Sequence, residues 1–219
     1  MENRRDGVAR FVAGLENPSV GGPVGAIVAN CNPFTEGHLH LARRAADECD
    51  LVHFFLLSED RGVFSPEERF QLAKAGLAGL DNVLLHPTGG YLVSTATFPD
   101  YFLGDRASVN KAACEMDVEI FAHHFVPKLH IGFRYIGEEP FSPITAAYNS
   151  YMKEYLPTCG VKVVEVPRCK RDEEAVSASR VRRLLAEDKL EELRPFVPES
   201  TFCFLNSSRG KEIAEKLRK

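Results

Sequence analysis

The sequence lacks the patterns that mark zinc sites, secreted proteins and membrane spans. Its six cysteines form no CxxC pair and no series of short spacings, which argues against a structural zinc site. The first 14 residues hold no apolar run long enough for a signal peptide, and no stretch approaches the roughly 18 apolar residues of a membrane helix. We therefore expect a cytoplasmic protein with reduced thiols, no bound structural metal and no membrane partner.

A basic excess is also absent. The chain has 219 residues, a formal net charge of −4, 26% charged residues and 44% hydrophobic residues. Domains that bind nucleic acid usually carry a surplus of Lys and Arg, so this balance favours a soluble globular protein without a nucleic-acid partner. The length suits one domain with a substantial core.

What the sequence does contain is a regular alternation of short apolar runs and amphipathic stretches. Residues 24–30, 51–57 and 82–86 are predicted strands, because each is a short, nearly continuous apolar run. One helix is predicted after residue 35, and another begins at Ser65, with Pro66 in its first turn. This β-α-β-α-β order with short loops predicts an α/β fold built on a doubly wound parallel sheet.

A longer insertion, residues 91–131, separates the two halves of this alternation. It contains an aromatic-rich loop and then a predicted helix with Cys114, Val118, Phe121 and Phe125 on one face. Strands are predicted again at 133–137 and 161–166, with helices at 144–155, from about Ser179, and at 209–219. We expect a frayed, flexible lead-in at 1–23, one α/β domain at 24–205 and a charged C-terminal helix within 206–219.

The turn after the first predicted strand, CNPFTEGH, has the composition of a phosphate site. A helix N-terminus offers unpaired N–H groups to an anion, and Gly37 allows a ligand to approach the backbone closely. Thr35 and His38 flank this glycine, and an imidazole can donate to a phosphoryl oxygen as charge develops there. The turn is neither a P-loop nor a dinucleotide fingerprint. These residues also suit an ordinary helix start, with Thr35 as the cap and His38 on the surface.

A second segment with similar chemistry follows the last predicted strand. VSASRVR, residues 176–182, places Ser177 and Ser179 beside Arg180 and Arg182 at another helix start. Alone, it suits a capped basic surface helix. Two anion-binding helix starts after the first and last strands of one sheet are, however, suited to a triphosphate held between them. The preceding CKRDEE, a polar loop, is suited to closing over such a ligand.

Taken together, these motifs resemble the nucleotidylyltransferase superfamily with the (H/T)-x-G-H motif, here Thr35, Gly37 and His38. Ser177, Ser179 and Arg182 match the second motif of that superfamily. Four longer stretches resemble the citrate lyase ligase family more closely: NCNPFTEGHLHLARRAA, ATFPDYF, GEEPFSPITAAYNSYM and VSASRVRRLL. The resemblance implies a Rossmann-like nucleotidylyltransferase (HxGH) fold. It also implies an acetyltransferase-like domain ahead of this one in family members, so this chain is either the catalytic domain alone or a stand-alone relative.

The resemblance implies an ATP-dependent acid–thiol ligase. Acetate would attack the α-phosphate of ATP to give acetyl-adenylate and pyrophosphate, and the acetyl group would pass to the prosthetic-group thiol of the citrate lyase acyl-carrier subunit. His38 would donate to the α-phosphate, Thr35 would hold the same phosphate or the leaving group, and the VSASRVR residues would hold the β- and γ-phosphates with Mg²⁺ bridging them. The superfamily also places Gly137 and Glu138 near adenine and ribose.

Several other residues are predicted with alternatives left open. Asn32 and Phe34 of the first turn are predicted ATP contacts, although Asn32 also suits a bond to its own backbone. Arg69 is expected on the surface, with a role at the site as the alternative. Phe98, Tyr101 and Phe102 line either a small apolar pocket, for an acetyl methyl group or adenine, or the core.

The two predicted anion-binding helix starts, which we call the clamp, are compatible with more than one function. A nucleotidylyltransferase that moves AMP or CMP onto a small phosphorylated acceptor would need the same two motifs, and a non-catalytic nucleotide-binding domain is a third alternative. ATFPDYF and GEEPF favour the ligase. Retention of both motifs weighs against the non-catalytic domain, because a sheet needs neither of them to fold.

Overall fold

A computed structural model describes residues 6–102, 111–140, 142–171 and 174–218 of the chain. Its main sheet has five parallel strands in the order β3-β2-β1-β4-β5. The strands are β1 (Val24–Ala29), β2 (Leu51–Leu56), β3 (Val83–Pro87), β4 (Phe133–Gly137) and β5 (Lys162–Val166). The predicted doubly wound α/β fold is confirmed, and the strand order reverses between β1 and β4, where ligands bind in sheets of this kind.

Helices cover both faces of the sheet. The main helices are α1 (Gly7–Ala13), α2 (Glu36–Glu48), α3 (Pro66–Leu77), α4 (Lys111–Ile120), α5 (Val126–Leu129), α6 (Pro143–Tyr155), α7 (Ala178–Ala186), α8 (Glu199–Leu205) and α9 (Ser208–Leu217). Neighbouring strand residues point to opposite faces, so Phe54 packs into the core under α2, α3 and α7 to α9, and Phe55 into the core under α1 and α4 to α6. The sheet is therefore buried on both sides, as its continuous apolar strands predict.

Local sequence explains the helix starts that matter for the site. Ser65 caps α3: its hydroxyl accepts from the Glu68 N–H at 3.2 Å, and the Glu68 carboxylate accepts from the Ser65 N–H at 2.8 Å. This reciprocal pair satisfies two N–H groups that a helix start leaves without partners. Arg209 of α9 also bonds to Glu68, so the C-terminal helix is joined to the same cap.

Two parts of the chain differ from the expectation. The predicted flexible lead-in is wrong for residues 7–13, which form α1, because Val12 is buried in the core beside the π-helix Phe121–Phe125. The predicted polar loop that precedes VSASRVR contains a short antiparallel hairpin, β6 (Lys170–Arg171) with β7 (Glu174–Ala175). Residues 1–5, Asp172, Glu173 and Lys219 lie outside the described part of the chain. Across the described residues, no helix is long and apolar enough to cross a membrane.

Two buried histidines on β2 and β3 are expected to make stability depend on pH. His53 Nδ1 lies 3.0 Å from His86 Nε2, and burial lowers the pKa of each ring from 6.5 to about 4. Between pH 6.5 and 4 the unfolded chain takes up protons that the folded pair does not. The free energy of unfolding should therefore fall as pH falls through this window, by about 2 kcal/mol for each histidine between pH 7 and 4.5.

Denaturant titrations at pH 7 and 4.5 measure this dependence. The double variant His53→Asn/His86→Gln keeps polar side chains without titrating, so it should lose less stability than the wild type over the same interval. An equal loss in both proteins would show that other groups cause the pH dependence.

Candidate active site

His38 is held in one orientation by the turn that precedes it. Thr35 caps α2, and its backbone N–H donates to His38 Nδ1 at 3.0 Å while its hydroxyl lies 2.8 Å from the same nitrogen. A backbone N–H can only donate, so Nδ1 must accept, and the proton of the neutral ring is on Nε2. His38 therefore presents an N–H donor on the side of the ring that faces away from the cap.

The surroundings of His38 keep it neutral. Burial, and then the positive charge of Arg168, lower its pKa to about 4. The ring stacks on Phe34, with the two centroids 5.6 Å apart and the planes 28° apart. At neutral pH the imidazole is thus an uncharged donor whose position is set by a cap on one side and an aromatic ring on the other.

Gly37 lies where the first turn meets the segment before α7. A Cβ atom at this position would lie 3.4 Å from the Val176 carbonyl oxygen and 3.5 Å from the Thr35 hydroxyl oxygen. The start of α2 and the chain entering α7 therefore approach each other closely, although 139 residues separate Gly37 from Val176 in the sequence. A Cβ atom here would be in van der Waals contact with both segments and would fill the space between them.

Arg182 joins the two motifs directly. Its guanidinium donates through Nη1 to the Asn32 carbonyl oxygen of the first turn and through Nη2 to the Ser179 hydroxyl at 3.1 Å. Ser177 caps α7 by accepting from the Arg180 N–H at 3.1 Å. The structure thus brings the two predicted anion-binding helix starts to one edge of the sheet and places a guanidinium between them.

The side chains of three predicted ATP-contact residues are buried or paired with other protein groups. Phe34 is fully buried against Phe54 and the α3 backbone, so it supports the His38 ring and does not line an open site. The Thr35 hydroxyl is also buried and bonds to His38, which gives Thr35 a positioning role. Arg180 pairs with Glu174 of β7 and stacks 4.5 Å above the Phe196 ring, so Arg182 is the arginine of α7 that reaches the first turn.

The turn after β4 is tied to the end of β5. Arg168 donates through Nε to the Glu138 carbonyl at 2.9 Å and pairs with the Glu139 carboxylate at 2.7 Å. Asn149 of α6 donates to the Gly137 carbonyl at 3.0 Å. Gly137 and Glu138 therefore lie at the expected edge. The sequence analysis did not predict Arg168, whose positive charge lowers the pKa of His38, as a site residue. The feature that could have indicated it was its position just after the end of β5.

Arg69 is the largest correction to the sequence prediction. It was expected on the surface, but only 1% of it is exposed. Its guanidinium donates to the backbone carbonyls of Asn30 and Leu57 at 2.9 Å each, to the Glu59 carbonyl, and to the Asn30 side-chain oxygen at 2.8 Å. One buried cation therefore ties the carboxyl ends of β1 and β2 together and fixes the residue from which the His38 turn begins.

A cavity lined by basic residues lies beside the start of α2. This cavity, of about 550 Å³, opens between α2 and the chain after β5, and five of its lining residues are cationic against one carboxylate, Glu36. The cationic residues are Arg43, Arg44, Arg168, Lys170 and Arg171. Arg44, Arg168 and Arg171 pair with Glu48, Glu139 and Glu36, so the local excess of positive charge comes chiefly from Arg43 and Lys170.

Cys31 of the first turn and Phe98 of the aromatic-rich loop are core residues. Cys31 is fully buried, and burial raises the pKa of its thiol, so it is a packing residue without nucleophilic character. Phe98 is also fully buried, whereas Tyr101 is partly exposed; the side chain of Phe102 lies outside the described part of the chain.

The fold and the site together define a nucleotidyltransferase-like α/β protein. Its sheet is doubly wound, a T-x-G-H turn lies at the start of α2, and the S-x-S-x-x-R start of α7 is hydrogen-bonded to that turn. Solved structures support this fold. A protein from Francisella tularensis described as a bifunctional NMN adenylyltransferase/ADP ribose pyrophosphatase aligns with a TM-score of 0.53 and 16% identity, over 90% of this chain and 52% of that one. A protein from Vibrio parahaemolyticus described as a nicotinate-nucleotide adenylyltransferase aligns with a TM-score of 0.51 and 19% identity, over 88% and 97%.

The chain belongs to the citrate lyase ligase family. The model of the citrate lyase ligase C-terminal domain matches residues 24–205. A citrate (pro-3S)-lyase ligase from Klebsiella pneumoniae is 40% identical over 212 residues, and one from Escherichia coli (strain K12) is 38% identical over 213 residues. These alignments cover 94% of this chain but 61% and 60% of the two relatives, so the chain spans about three fifths of their length.

Proposed function

We propose that this chain uses ATP to activate a short-chain carboxylic acid, acetate in the first instance, and transfers the acyl group to the prosthetic-group thiol of the citrate lyase acyl-carrier subunit. The observation that carries the proposal is the Arg182 bridge, which unites the His38 turn and the α7 start at the ligand-binding edge of the sheet. Family membership supports the choice of an acid–thiol ligase among the reactions that this clamp could serve.

In the first step, a carboxylate oxygen of the acid attacks the α-phosphorus of ATP. The bond from that phosphorus to the bridging oxygen breaks, and pyrophosphate leaves with the bonding electrons, so the products are acyl-adenylate and pyrophosphate. His38 Nε2–H donates to a non-bridging α-phosphate oxygen, where negative charge accumulates in the transition state. Thr35 holds the ring in this orientation, and the reaction needs no covalent enzyme intermediate.

The α7 start holds the leaving group. Ser177, Ser179 and Arg182 bind the β- and γ-phosphates through hydroxyl groups, helix N–H groups and the guanidinium. Across the described ranges, no group of three or more His, Cys, Asp or Glu side chains is arranged to hold a metal ion. Mg²⁺ would enter as part of the MgATP substrate, coordinated chiefly by phosphate oxygens and water, as is usual for this ion.

In the second step, the thiolate of the carrier attacks the acyl carbon of the adenylate. A carbon–sulfur bond forms, the carbon–oxygen bond to the phosphate breaks, and AMP leaves with those electrons. The thiol proton passes to solvent. The chain contributes the geometry that keeps the adenylate in place between the two steps.

Exchange of radiolabelled pyrophosphate into ATP tests the proposal. Label should enter ATP when acetate is present and should not enter without an acid. Acetylation of the isolated acyl-carrier subunit, followed by mass spectrometry, then tests the thiol acceptor. Exchange that depends instead on a nucleotide-linked product would support nucleotidyl transfer to a phosphorylated acceptor, and no exchange with any substrate would contradict both enzymatic functions.

A further inference from the structure

The backbone at Cys31 has a conformation that its own residue type disfavours. Cys31 lies between the end of β1 and the His38 turn, and its φ is 51°. A residue with a Cβ atom is strained in this left-handed region, so the conformation persists only where the surrounding structure holds it. The Cys31 side chain is fully buried, so it cannot relieve the strain by moving into solvent. Tertiary contacts must therefore maintain the turn that leads to His38.

Two guanidinium groups hold the peptide carbonyls on either side of Cys31. Arg69 of α3 donates through Nη1 to the Asn30 carbonyl at 2.9 Å. Arg182 of α7 donates through Nη1 to the Asn32 carbonyl. Each residue has only two soft backbone dihedral angles, so fixing the carbonyl before Cys31 and the carbonyl after it restricts the conformation between them. The two arginines together stabilise the left-handed turn.

The two arginines differ in their freedom to contact a ligand. Only 1% of Arg69 is exposed, and its four hydrogen bonds all end on protein oxygens. Arg182 is only partly buried, and its second bond is to the Ser179 hydroxyl at the start of α7, where we propose that phosphate binds. Arg182 can therefore turn donors toward a ligand, whereas Arg69 is fixed to the protein. Arg69 is the contact that keeps the turn in place while Arg182 binds phosphate.

The position of the Arg69 guanidinium is itself fixed by the end of β2. The Leu57 carbonyl accepts from it at 2.9 Å, and the Glu59 carbonyl accepts from it as well. The Glu59 carboxylate in turn accepts from the N–H and the hydroxyl of Thr95 at 2.7 and 3.1 Å. The Leu57 N–H donates to the Ala29 carbonyl at 3.1 Å, which joins the ends of β1 and β2 directly. The guanidinium is thus a rigid reference point from which the His38 turn begins.

The orientation of His38 depends on the backbone that follows this reference point. The Thr35 N–H and hydroxyl contact His38 Nδ1 at 3.0 and 2.8 Å. Helix α2 is anchored in the core through Leu39 and Ala42, so a change of conformation at Cys31 would be taken up before the helix, where Thr35 lies. A displaced Thr35 would rotate the His38 ring and move the Nε2–H away from the α-phosphate.

We propose that Arg69 is a positioning residue for acid activation: it contacts no substrate, and it fixes the turn at Cys31 so that His38 Nε2 is aimed at the α-phosphate. The inference rests on the proposed function. It gives the two arginines different roles, since Arg182 binds the triphosphate and Arg69 determines how fast the bound triphosphate reacts.

Arg69→Lys tests this role while keeping the positive charge. One ammonium nitrogen cannot occupy both guanidinium Nη positions, so the bonds to the Asn30 and Glu59 carbonyls cannot both be kept. The maximal rate of acetate-dependent pyrophosphate exchange should fall by about 30- to 100-fold, the size expected when a catalytic group is misplaced by about 1 Å. The KM for ATP should change by less than about threefold, because the α7 start keeps its own groups.

A double-mutant cycle with His38→Asn identifies the residue through which Arg69 acts. In the His38→Asn background no Nε2 donor remains to be misplaced, so adding Arg69→Lys should lower the rate by less than about threefold. Rate losses that multiply in the double variant would contradict the proposal, because they would show that Arg69 acts independently of His38.

Arg134→Lys is the matched control for the loss of a buried guanidinium. Arg134 on β4 is 3% exposed and lies 4.7 Å above the Phe121 ring, on the face of the sheet that α4 to α6 cover. This variant should lose stability but keep the wild-type rate. All variants are assayed with trimethylamine N-oxide, which favours the folded state, and rates are expressed per mole of folded protein. An equal fall in rate for Arg134→Lys and Arg69→Lys would overturn the positioning role, because it would show a general effect of destabilisation.

The outcomes separate this inference from the proposed function. Acid-dependent exchange in the wild type together with an unchanged maximal rate in Arg69→Lys would overturn the positioning role alone. A higher KM for ATP without a lower maximal rate would also overturn it, because Arg69 would then act on ATP binding. Absence of acid-dependent exchange in the wild type would overturn both the proposed function and this inference.

Discussion

Replacing His38 with Asn is expected to reduce acetate-dependent pyrophosphate exchange by about 10²- to 10³-fold, the usual cost of removing one donor to developing charge. The Asn side-chain oxygen occupies nearly the position of His38 Nδ1, so it can still accept from the Thr35 N–H and preserve the cap of α2. No atom of Asn reaches the position of Nε2. The variant therefore removes the donor to the α-phosphate and keeps the local fold.

Two measurements distinguish this catalytic role from a structural one. The free energy of unfolding of His38→Asn should stay within about 1 kcal/mol of the wild type, since the capping bond is retained. His38→Ala should lose both the cap and the activity. His123→Asn, an exposed histidine on the opposite side of the sheet, is the matched control and should be fully active. Persistence of exchange in His38→Asn would show that another group stabilises the α-phosphate.

Replacing Arg182 with Lys is expected to raise the KM for ATP by about 10- to 100-fold. A guanidinium can donate to the Asn32 carbonyl and the Ser179 hydroxyl at once and still present N–H groups to phosphate, whereas one ammonium cannot match this geometry. Because the bridge sets the distance between the two helix starts, the substitution should change both their spacing and the position of the positive charge between them. Calorimetric titration with a non-hydrolysable ATP analogue should show the same loss of affinity.

Arg183→Lys is the matched control for this variant. Arg183 is the next residue of α7 and is exposed, so its replacement should leave the affinity for ATP unchanged. Arg182→Met should also lose about 1 kcal/mol of stability, because the Asn32 carbonyl loses its donor. Unchanged ATP affinity in both Arg182 variants would contradict the clamp and would leave the bridge with a purely structural role.

Much of the fold could be predicted from local patterns. Short apolar runs predicted β1, β2 and β3, the resumed alternation of strands and helices predicted β4 and β5, and the Ser65-Pro66 start of α3 was predicted from its capping residues. Such signals are local, because strand burial and helix capping depend on residues close together in the sequence. The α1 helix was missed because its apolar stretch, GVARFVA, is only seven residues long and follows a polar start, and Val12 is buried through contact with helices from residues 121–129.

The candidate site was predictable only in part, because local sequence signals do not reveal tertiary contacts. His38 and Arg182 stand in recognisable motifs, so their chemistry could be inferred before their positions were known. Arg69 stands in no motif. A single arginine in a helix is ordinarily a surface residue, and only the tertiary contacts with Asn30, Leu57 and Glu59 reveal a buried connection between two strand ends.

By itself, the sequence determined the class of fold, the positions of the two helix starts that we propose to bind anions, and the family to which the chain belongs. These depend on the order and spacing of residues along the chain. The tertiary structure alone decided that Arg182 joins the two starts, that His38 carries its proton on Nε2, and that Arg69 ties the carboxyl ends of β1 and β2 together. Each of these depends on a hydrogen-bond partner that lies far away in sequence or on a geometry that only the folded backbone imposes, and spacing carries no information about either.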